Sequence, residues 1–110
     1  MSASGKSARK SKYRAVRTEL DGVTFASKKE ARRYAVLKLM ERARAISNLR
    51  LQPRYELRVH GELVATYVGD FAYLQGGKEV VEDCKGFKTP VYRLKAKLLK
   101  ACYGIEVLET

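Results

Sequence analysis

The sequence lacks the features that would place it in a membrane or in an oxidising compartment. No apolar run approaches the roughly 20 residues that a membrane-spanning helix needs. No apolar segment of the kind found in secretory signals opens the chain. Its two cysteines are too few for a disulfide framework and lack the spacing of a zinc site. These absences predict a protein without a membrane span that works in a reducing cytoplasm.

Acidic residues are scarce relative to basic ones. The 110 residues include 23 Lys and Arg but only 12 Asp and Glu, which gives a formal net charge of +11. A charge of this size predicts a polyanionic partner, and nucleic acid is the default. Every charged residue in the first 18 positions is basic. Because such a segment cannot offset its ordering entropy by burial, residues 1–12 are predicted to be a mobile basic arm, followed by one domain at 13–110.

Start and stop signals predict two helices. Ser27 and Glu30 form a capping box, S-x-x-E, so the first helix is predicted to run from Lys28 to about Arg44. Pro90 opens the second helix, which ends at Gly104. By helical spacing, the apolar stripes of the two helices are Ala35, Val36, Leu39, Met40 and Ala43 on the first, and Val91, Leu94, Leu98 and Cys102 on the second.

Between the helices the hydrophobic period changes to two, which predicts strands. Turn signals at 60–61 and 76–77 separate an antiparallel meander, and residues 62–74 read as one long strand. A final strand, "IEVLE", follows the second helix. The predicted order is α-β-β-β-β-α-β, a mixed α/β (α+β) class.

The Gly76-Gly77 turn predicts which residues face each other across the last hairpin. If these glycines are the central pair of the turn, Gln75 faces Lys78. Counting back along both strands then places Asp70 directly opposite Asp83. Like charges at this separation of about 5 Å are destabilising, so the pair requires a cation.

Lys85 lies two residues beyond Asp83 and is therefore predicted to project from the same face, with Val68, Ala72 and Val81. Carboxylate oxygens favour Mg²⁺ or Mn²⁺, and a lysine beside them can orient an attacking water or neutralise charge developing on a phosphate. A surface salt bridge between Lys85 and an acid is the competing interpretation. The apolar neighbours and the basic remainder of the chain favour a metal site in a DNA-binding surface.

These residues match a known pattern. "GDF" at 69–71, "EDCK" at 82–85 and the acid in the helix "SKKEARRY" at 27–34 resemble the PD-(D/E)xK nuclease superfamily. More narrowly, the chain resembles phage and prophage proteins related to small Holliday junction resolvases, over about residues 12–108. The superfamily's proline before the first aspartate is Gly69 here.

The resemblance implies a restriction-endonuclease-like core, with a central mixed sheet flanked by helices. It also implies a metal-dependent endonuclease that cuts branched DNA such as Holliday junctions, works as a homodimer and, if phage-encoded, acts in the cytoplasm of a bacterial host. The alternative function is a non-catalytic basic module, which predicts salt-sensitive nucleic-acid binding without cleavage.

Four active-site positions follow from the resemblance. Glu30 would complete the metal site, Asp70 would be the central ligand, and Asp83 would be the second strand ligand. The backbone carbonyl of Cys84 would be a further ligand, and Lys85 would be the catalytic lysine.

Two of these assignments have alternatives. Glu30 is also the N3 residue of a capping box, where it would only satisfy a backbone N–H; one carboxylate cannot fully serve both roles, so Ser27 would then cap the helix alone. Glu82 could replace Asp83 as the ligand, although strand alternation would place Glu82 and Lys85 on opposite faces.

Candidate DNA contacts lie in the basic arm, at helix starts and at strand ends. Gln52 would either contact DNA or make a strand-end hydrogen bond. Lys95 falls on the predicted apolar face of the second helix, where it would either extend to solvent or reach a phosphate. The full set is Lys12, Arg14, Lys28, Lys29, Gln52, Lys88, Arg93 and Lys95.

Overall fold

The protein is described here from a computed structural model that covers residues 16–84 and 88–110. Its helices and strands confirm the predicted α/β (α+β) class. None of its described helices is long and apolar enough to span a membrane. In chain order the elements are β1 (Thr18–Leu20), β2 (Val23–Phe25), α1 (Lys28–Arg42), β3 (Ser47–Leu51), β4 (Arg54–Val59), β5 (Glu62–Val68), β6 (Phe71–Gln75), β7 (Lys78–Asp83), α2 (Pro90–Tyr103) and β8 (Val107–Glu109).

The chain divides into two compact units, Met1–Ala35 and Val36–Thr110. In the first unit β1 and β2 form a hairpin around Asp21 and Gly22, whose φ values of 54° and 77° are those of a type I′ turn. The two three-residue strands of this hairpin were not predicted from the sequence. At the start of α1 the backbone N–H of Glu30 donates to the Ser27 hydroxyl at 3.2 Å, so Ser27 caps the helix as predicted.

The second unit contains two separate sheets. β3, β6, β7 and β8 form a four-stranded sheet in that order, while β4 and β5 form a two-stranded sheet. Among the strands that the structure describes, only β7 and β8 pair in parallel, because α2 forms the crossover between them. The hairpins predicted at the turns 60–61 and 76–77 are confirmed, but the meander is wrong for β3, which pairs with β6 and not with β4.

The predicted long strand 62–74 is also wrong, because Gly69 and Asp70 divide it into β5 and β6. The Gly69 N–H donates to the carbonyl of Pro53 at 3.0 Å, whereas the Asp70 N–H donates to that of Glu82 at 2.9 Å. Gly69 is thus bonded to the link between β3 and β4 and Asp70 to β7, and the chain crosses here from the two-stranded to the four-stranded sheet. Val68 consequently leaves the predicted core-facing row and is 42% exposed, while Val81 in that row is fully buried.

Both helices bury a different stripe from the one that the sequence predicted. On α1 Tyr34 and Leu37 are buried, whereas Leu39 is 61% exposed. On α2 Tyr92 and Leu99 are buried, while the predicted stripe begins with the exposed residues Val91 and Leu94. The core of the second unit consists of Leu57, Tyr67, Ala72, Val81, Tyr92 and Leu99. Burying a tyrosine ring removes a large apolar area from water, so the buried face of each helix is the one that carries Tyr34 or Tyr92.

The close packing at Gly69 generates a stability prediction. A Cβ atom at this position would lie 2.9 Å from Val81 Cγ1 and 3.4 Å from the carbonyl oxygen of Glu82. Gly69→Ala is therefore expected to lower the free energy of unfolding by about 1–3 kcal/mol, measured by urea denaturation. Gly76→Asn is the control, since position 76 has φ 60° and open space, and Asn-Gly is a favoured type I′ turn. A Gly69→Ala protein as stable as the wild type would contradict the crossing geometry.

Candidate active site

The β6–β7 hairpin brings Asp70 and Asp83 to the same end of the four-stranded sheet. Its register pairs Gln75 with Lys78, as the Gly76-Gly77 turn predicted, and runs to Phe71 opposite Glu82. Beyond the last pair, Asp70 Oδ2 accepts a 2.6 Å hydrogen bond from the backbone N–H of Cys84. The carboxylate of Asp70 therefore lies against the backbone that directly follows Asp83.

Asp83 is a buried carboxylate held by a tyrosine. Asp83 is only 1% exposed, and its Oδ2 accepts a 2.6 Å hydrogen bond from the Tyr67 hydroxyl. Its backbone carbonyl accepts from the N–H of Thr110 at 3.1 Å. Burial of an ionised carboxylate is costly unless hydrogen bonds and opposite charge compensate for it. The Tyr67 bond supplies part of that compensation and fixes the orientation of the carboxylate.

Glu82 lies on the other face of the same strand. It is fully buried, and its carboxylate accepts a hydrogen bond from the hydroxyl of Tyr73. Tyr73 belongs to the face that also carries Phe71, the register partner of Glu82. The alternation that argued against Glu82 as the partner of Asp70 is therefore present in the structure.

Glu109 is an acid beside the pair that the sequence did not indicate. It is the register partner of Asp83 in the parallel β7–β8 pair, so both side chains belong to one face of the sheet. Its carboxylate accepts from the Tyr92 hydroxyl at 2.9 Å and forms a 2.8 Å ion pair with Lys88. The hydrogen bond from Lys88, followed by that from Tyr92, lowers the pKa of Glu109. No local pattern could reveal this neighbour, because a helix separates the two strands in the chain.

Tyr67 and Tyr92 remain hydrogen-bond donors over the whole physiological range of pH. Burial is the main cause that raises the pKa of both phenols, and the hydrogen bonds to Asp83 and Glu109 raise them further. The negative charge of Asp70 adds to the increase in the pKa of Tyr67. Both members of the acid pair, Asp70 and Asp83, therefore raise the pKa of Tyr67.

The structure places the predicted DNA contacts at several points. Gln52 is beside Asp70, because its backbone N–H donates to the Asp70 carbonyl at 3.0 Å. Gln52 itself is exposed and has a φ of 50°. Lys88 is engaged with Glu109, and Arg93 is exposed near the start of α2. Lys95 is half-buried, on the face of α2 that carries Tyr92 and Leu99.

The remaining predicted site residues belong to the other unit or lie outside the described residues. Lys28, Lys29 and Glu30 lie at the start of α1 in the unit Met1–Ala35. The predicted metal-binding role of Glu30 stays a prediction. Three predicted residues lie outside the described residues, namely Lys12, Arg14 and Lys85.

The donor chemistry of the hairpin end suits a hard divalent cation. Within 16–84 and 88–110 no group of three or more His, Cys, Asp or Glu side chains is placed to hold a metal ion. Asp70 and Asp83 nevertheless offer carboxylate oxygens, and Cys84 offers a backbone carbonyl, which are the ligands that Mg²⁺ and Mn²⁺ prefer.

Comparison with known proteins gives one family. The family model described as "Protein of unknown function (DUF1064)" matches residues 10–108. Neither the curated proteins nor the solved structures contain a match to the chain.

The Tyr67–Asp83 bond generates a prediction at neutral pH. Tyr67→Phe removes a buried donor and leaves the Asp83 carboxylate without that bond, so the free energy of unfolding is expected to fall by about 1–3 kcal/mol. Tyr103→Phe is the matched control, since Tyr103 is half-exposed and donates to the carbonyl of Glu56, which water can reach. An equal loss in both variants would contradict a special role for the buried pair.

The same tyrosine predicts a dependence on alkaline pH. The pKa of Tyr67 in the folded protein is raised, so its stabilising contribution is complete below the unfolded value of about 10. Above that pH the unfolded chain releases the phenolic proton and the folded chain retains it, so stability falls. Above pH 10 the unfolding free energy of the wild type should therefore fall more steeply with pH than that of Tyr67→Phe, by about 1.4 kcal/mol per pH unit. Identical slopes would show that Tyr67 ionises normally in the folded state.

Proposed function

The chain belongs to the DUF1064 family, and we propose that it acts as a metal-dependent DNA endonuclease that hydrolyses backbone phosphodiesters. The observation that carries the proposal is the hydrogen bond from Cys84 N–H to Asp70 Oδ2 at the end of the β6–β7 hairpin. It holds one carboxylate next to the residue that carries the other, in a chain whose net charge of +11 is suited to a polyanion.

Asp70, Asp83 and the carbonyl of Cys84 would hold Mg²⁺ or Mn²⁺, and Glu30 is proposed to complete the set. Such an ion polarises a phosphoryl oxygen and lowers the pKa of a bound water when it is present. Lys85 would neutralise negative charge that develops on the phosphate or orient the attacking water.

Two hydrogen-bond donors at the site would hold the acids in place before substrate arrives. The Tyr67 hydroxyl orients Asp83, and the Cys84 N–H orients Asp70. Both donors belong to buried or half-buried residues, so the carboxylates do not have to be ordered when DNA binds. This pre-organisation favours ligand binding because the entropic cost has been met on folding.

The substrate class and the assembly rest on the resemblance to the PD-(D/E)xK superfamily. We propose branched DNA as the substrate and a homodimer as the working unit, in the cytoplasm of a bacterial host. Basic residues that contact phosphates do not read sequence, so the shape of the DNA would set the preference.

A non-catalytic DNA-binding module is the second candidate. It is favoured by the hydrogen bonds that Asp70 and Asp83 make within the protein, since both acids would then have a purely structural role. This candidate predicts binding that weakens with salt, and no cleavage.

A cleavage assay tests the proposal. With Mg²⁺ or Mn²⁺ the wild type is expected to cut at least one labelled substrate among four-way junctions, flaps, nicked duplexes and linear duplexes. Asp70→Asn keeps an oxygen that can accept from Cys84 N–H, so the fold should survive while cleavage falls by more than about 100-fold, the upper limit for loss of an outer partner alone. Asp83→Asn should have the same effect on cleavage.

Glu62→Gln is the matched control for these variants. Glu62 is exposed at the start of β5, and its substitution removes one negative charge exactly as the aspartate substitutions do, so general attraction to DNA changes equally. Cleavage that is retained in Glu62→Gln but lost in Asp70→Asn and Asp83→Asn would support a metal site. Salt-sensitive binding of all four substrates by a wild type that cuts none of them would support the module instead.

A further inference from the structure

A pocket of about 240 Å³ lies between β5 and α2. Tyr67 connects it to Asp83, because Tyr67 lines the pocket while its hydroxyl donates to Asp83. Tyr92 lines the pocket as well, and its hydroxyl donates to Glu109. These hydroxyl hydrogens are already used, so the two residues offer their rings to a ligand rather than further donors.

The polar groups that line the pocket are suited to an anion. Lys95 supplies a positive charge, and it is half-buried rather than fully extended into solvent. Thr66 and Thr89 supply hydroxyl groups. The Thr89 oxygen accepts from the N–H of Tyr92 at 3.0 Å, so its own hydrogen remains to be donated. The described lining contains no acidic side chain.

The remaining lining is apolar, so the ligand should combine an anion with an apolar part. Val68 and Val91 line the pocket and are 42% and 61% exposed. The volume is below the roughly 300–1,000 Å³ of pockets that enclose a drug-sized molecule or cofactor. A sugar carrying one phosphate has the required size, charge and apolar ring edge.

We propose that this pocket binds one sugar–phosphate unit of a DNA strand, adjacent to the phosphodiester that faces Asp70 and Asp83. The adjacency to a cleaved bond rests on the proposed function, whereas the binding of the sugar–phosphate does not. Lys95 would then be a strand-positioning residue that makes contact with a phosphate next to the reacting one. The protein would hold the strand on one side of the acid pair by this contact.

Methyl NMR with tetrathymidylate tests the binding in EDTA, where no cleavage can occur. The methyl signals of Thr66, Val68 and Val91 are expected to shift on titration, while that of Val59, at the far end of the β4–β5 hairpin, should not. The same oligonucleotide with neutral methylphosphonate linkages should leave the pocket signals in place, because Lys95 then has no charged partner. Equal shifts with both oligonucleotides, or none, would overturn the proposal.

Lys95→Gln should weaken the binding of tetrathymidylate by roughly 5- to 10-fold and reduce the slope of log affinity against log salt by about 0.7, the value for one lost contact to a single strand. Lys78→Gln is the matched control, since Lys78 is exposed at the start of β7, at the opposite end of the β6–β7 hairpin from the acid pair. Equal effects of the two substitutions would reduce Lys95 to a general charge and refute the pocket.

The variant Asp70→Asn separates this proposal from the proposed nuclease activity. It should bind tetrathymidylate in the pocket as the wild type does, because Asp70 does not line the pocket. Pocket binding by a wild type that cleaves none of the DNA substrates would refute the nuclease and leave the pocket intact, whereas loss of pocket binding in Asp70→Asn would overturn the pocket. Cleavage by the wild type, together with unchanged binding of tetrathymidylate by Lys95→Gln, would refute the pocket and leave the nuclease intact.

Discussion

Burial of carboxylates against tyrosine hydroxyls is the constraint on which the second unit depends. Within the described residues two acids at one end of the four-stranded sheet are buried in this way, Asp83 against Tyr67 and Glu82 against Tyr73, while the exposed Glu109 accepts from Tyr92. Each buried pair places an ionisable group where an aliphatic residue would be simpler to accommodate. Replacing one partner of a buried pair would leave the other buried without its bond, so each of these two pairs has to be kept or lost as a unit.

Two of the pairs also connect elements that backbone hydrogen bonds do not join. Tyr67 belongs to the two-stranded sheet and Asp83 to the four-stranded sheet, so their bond links the two sheets. Tyr92 belongs to α2 and Glu109 to β8, so that bond ties the crossover helix to the strand that follows it. The acid pair is thus located where two sheets and a helix are fastened together. Side chains in such a place lose little further entropy when they bind a ligand.

The crossing at Gly69 explains how the chain delivers Asp70 to this place. Gly69 gives its N–H to Pro53 in the link between β3 and β4, and Asp70 gives its N–H to Glu82 in β7. A proline at 69, which the PD-(D/E)xK pattern leads one to expect, has no N–H for the first of these bonds. Glycine also permits the close approach to Val81 that a side chain would prevent. The departure from the pattern is therefore consistent with the local geometry.

The parts of the fold that could be predicted are those determined by neighbours in the chain. The Gly76-Gly77 turn fixes the register of β6 and β7 locally, and with it the approach of Asp70 to the end of β7. Thr89, Pro90 and Gly104 bound α2 through caps that involve only adjacent residues, and the start at Pro90 and the stop at Gly104 were both predicted.

The parts that could not be predicted depend on partners that are distant in sequence. The division at Gly69 interrupts an apolar run without any change of period, and the bonds to Pro53 and Glu82 decide it. The buried face of α2 is determined by its packing against β4 and β5, which no helical pattern contains. Tyr67 is three residues before Asp70, but its role becomes visible only when the two sheets are joined.

The charges of the chain set a final condition on how DNA could reach the acid pair. The net charge of +11 attracts a polyanion, yet Asp70, Asp83 and Glu109 repel a phosphate at the short distances where screening by salt is weak. A strand can approach only if a cation lies between phosphate and carboxylates, and if attraction elsewhere holds the strand in position. Lys95 beside Tyr67 meets the second requirement, because it would hold an adjacent unit of the backbone within one side chain of Asp83. The separation of a site that repels phosphate from a pocket that attracts it would make strand binding and hydrolysis independent steps, each sensitive to a different substitution.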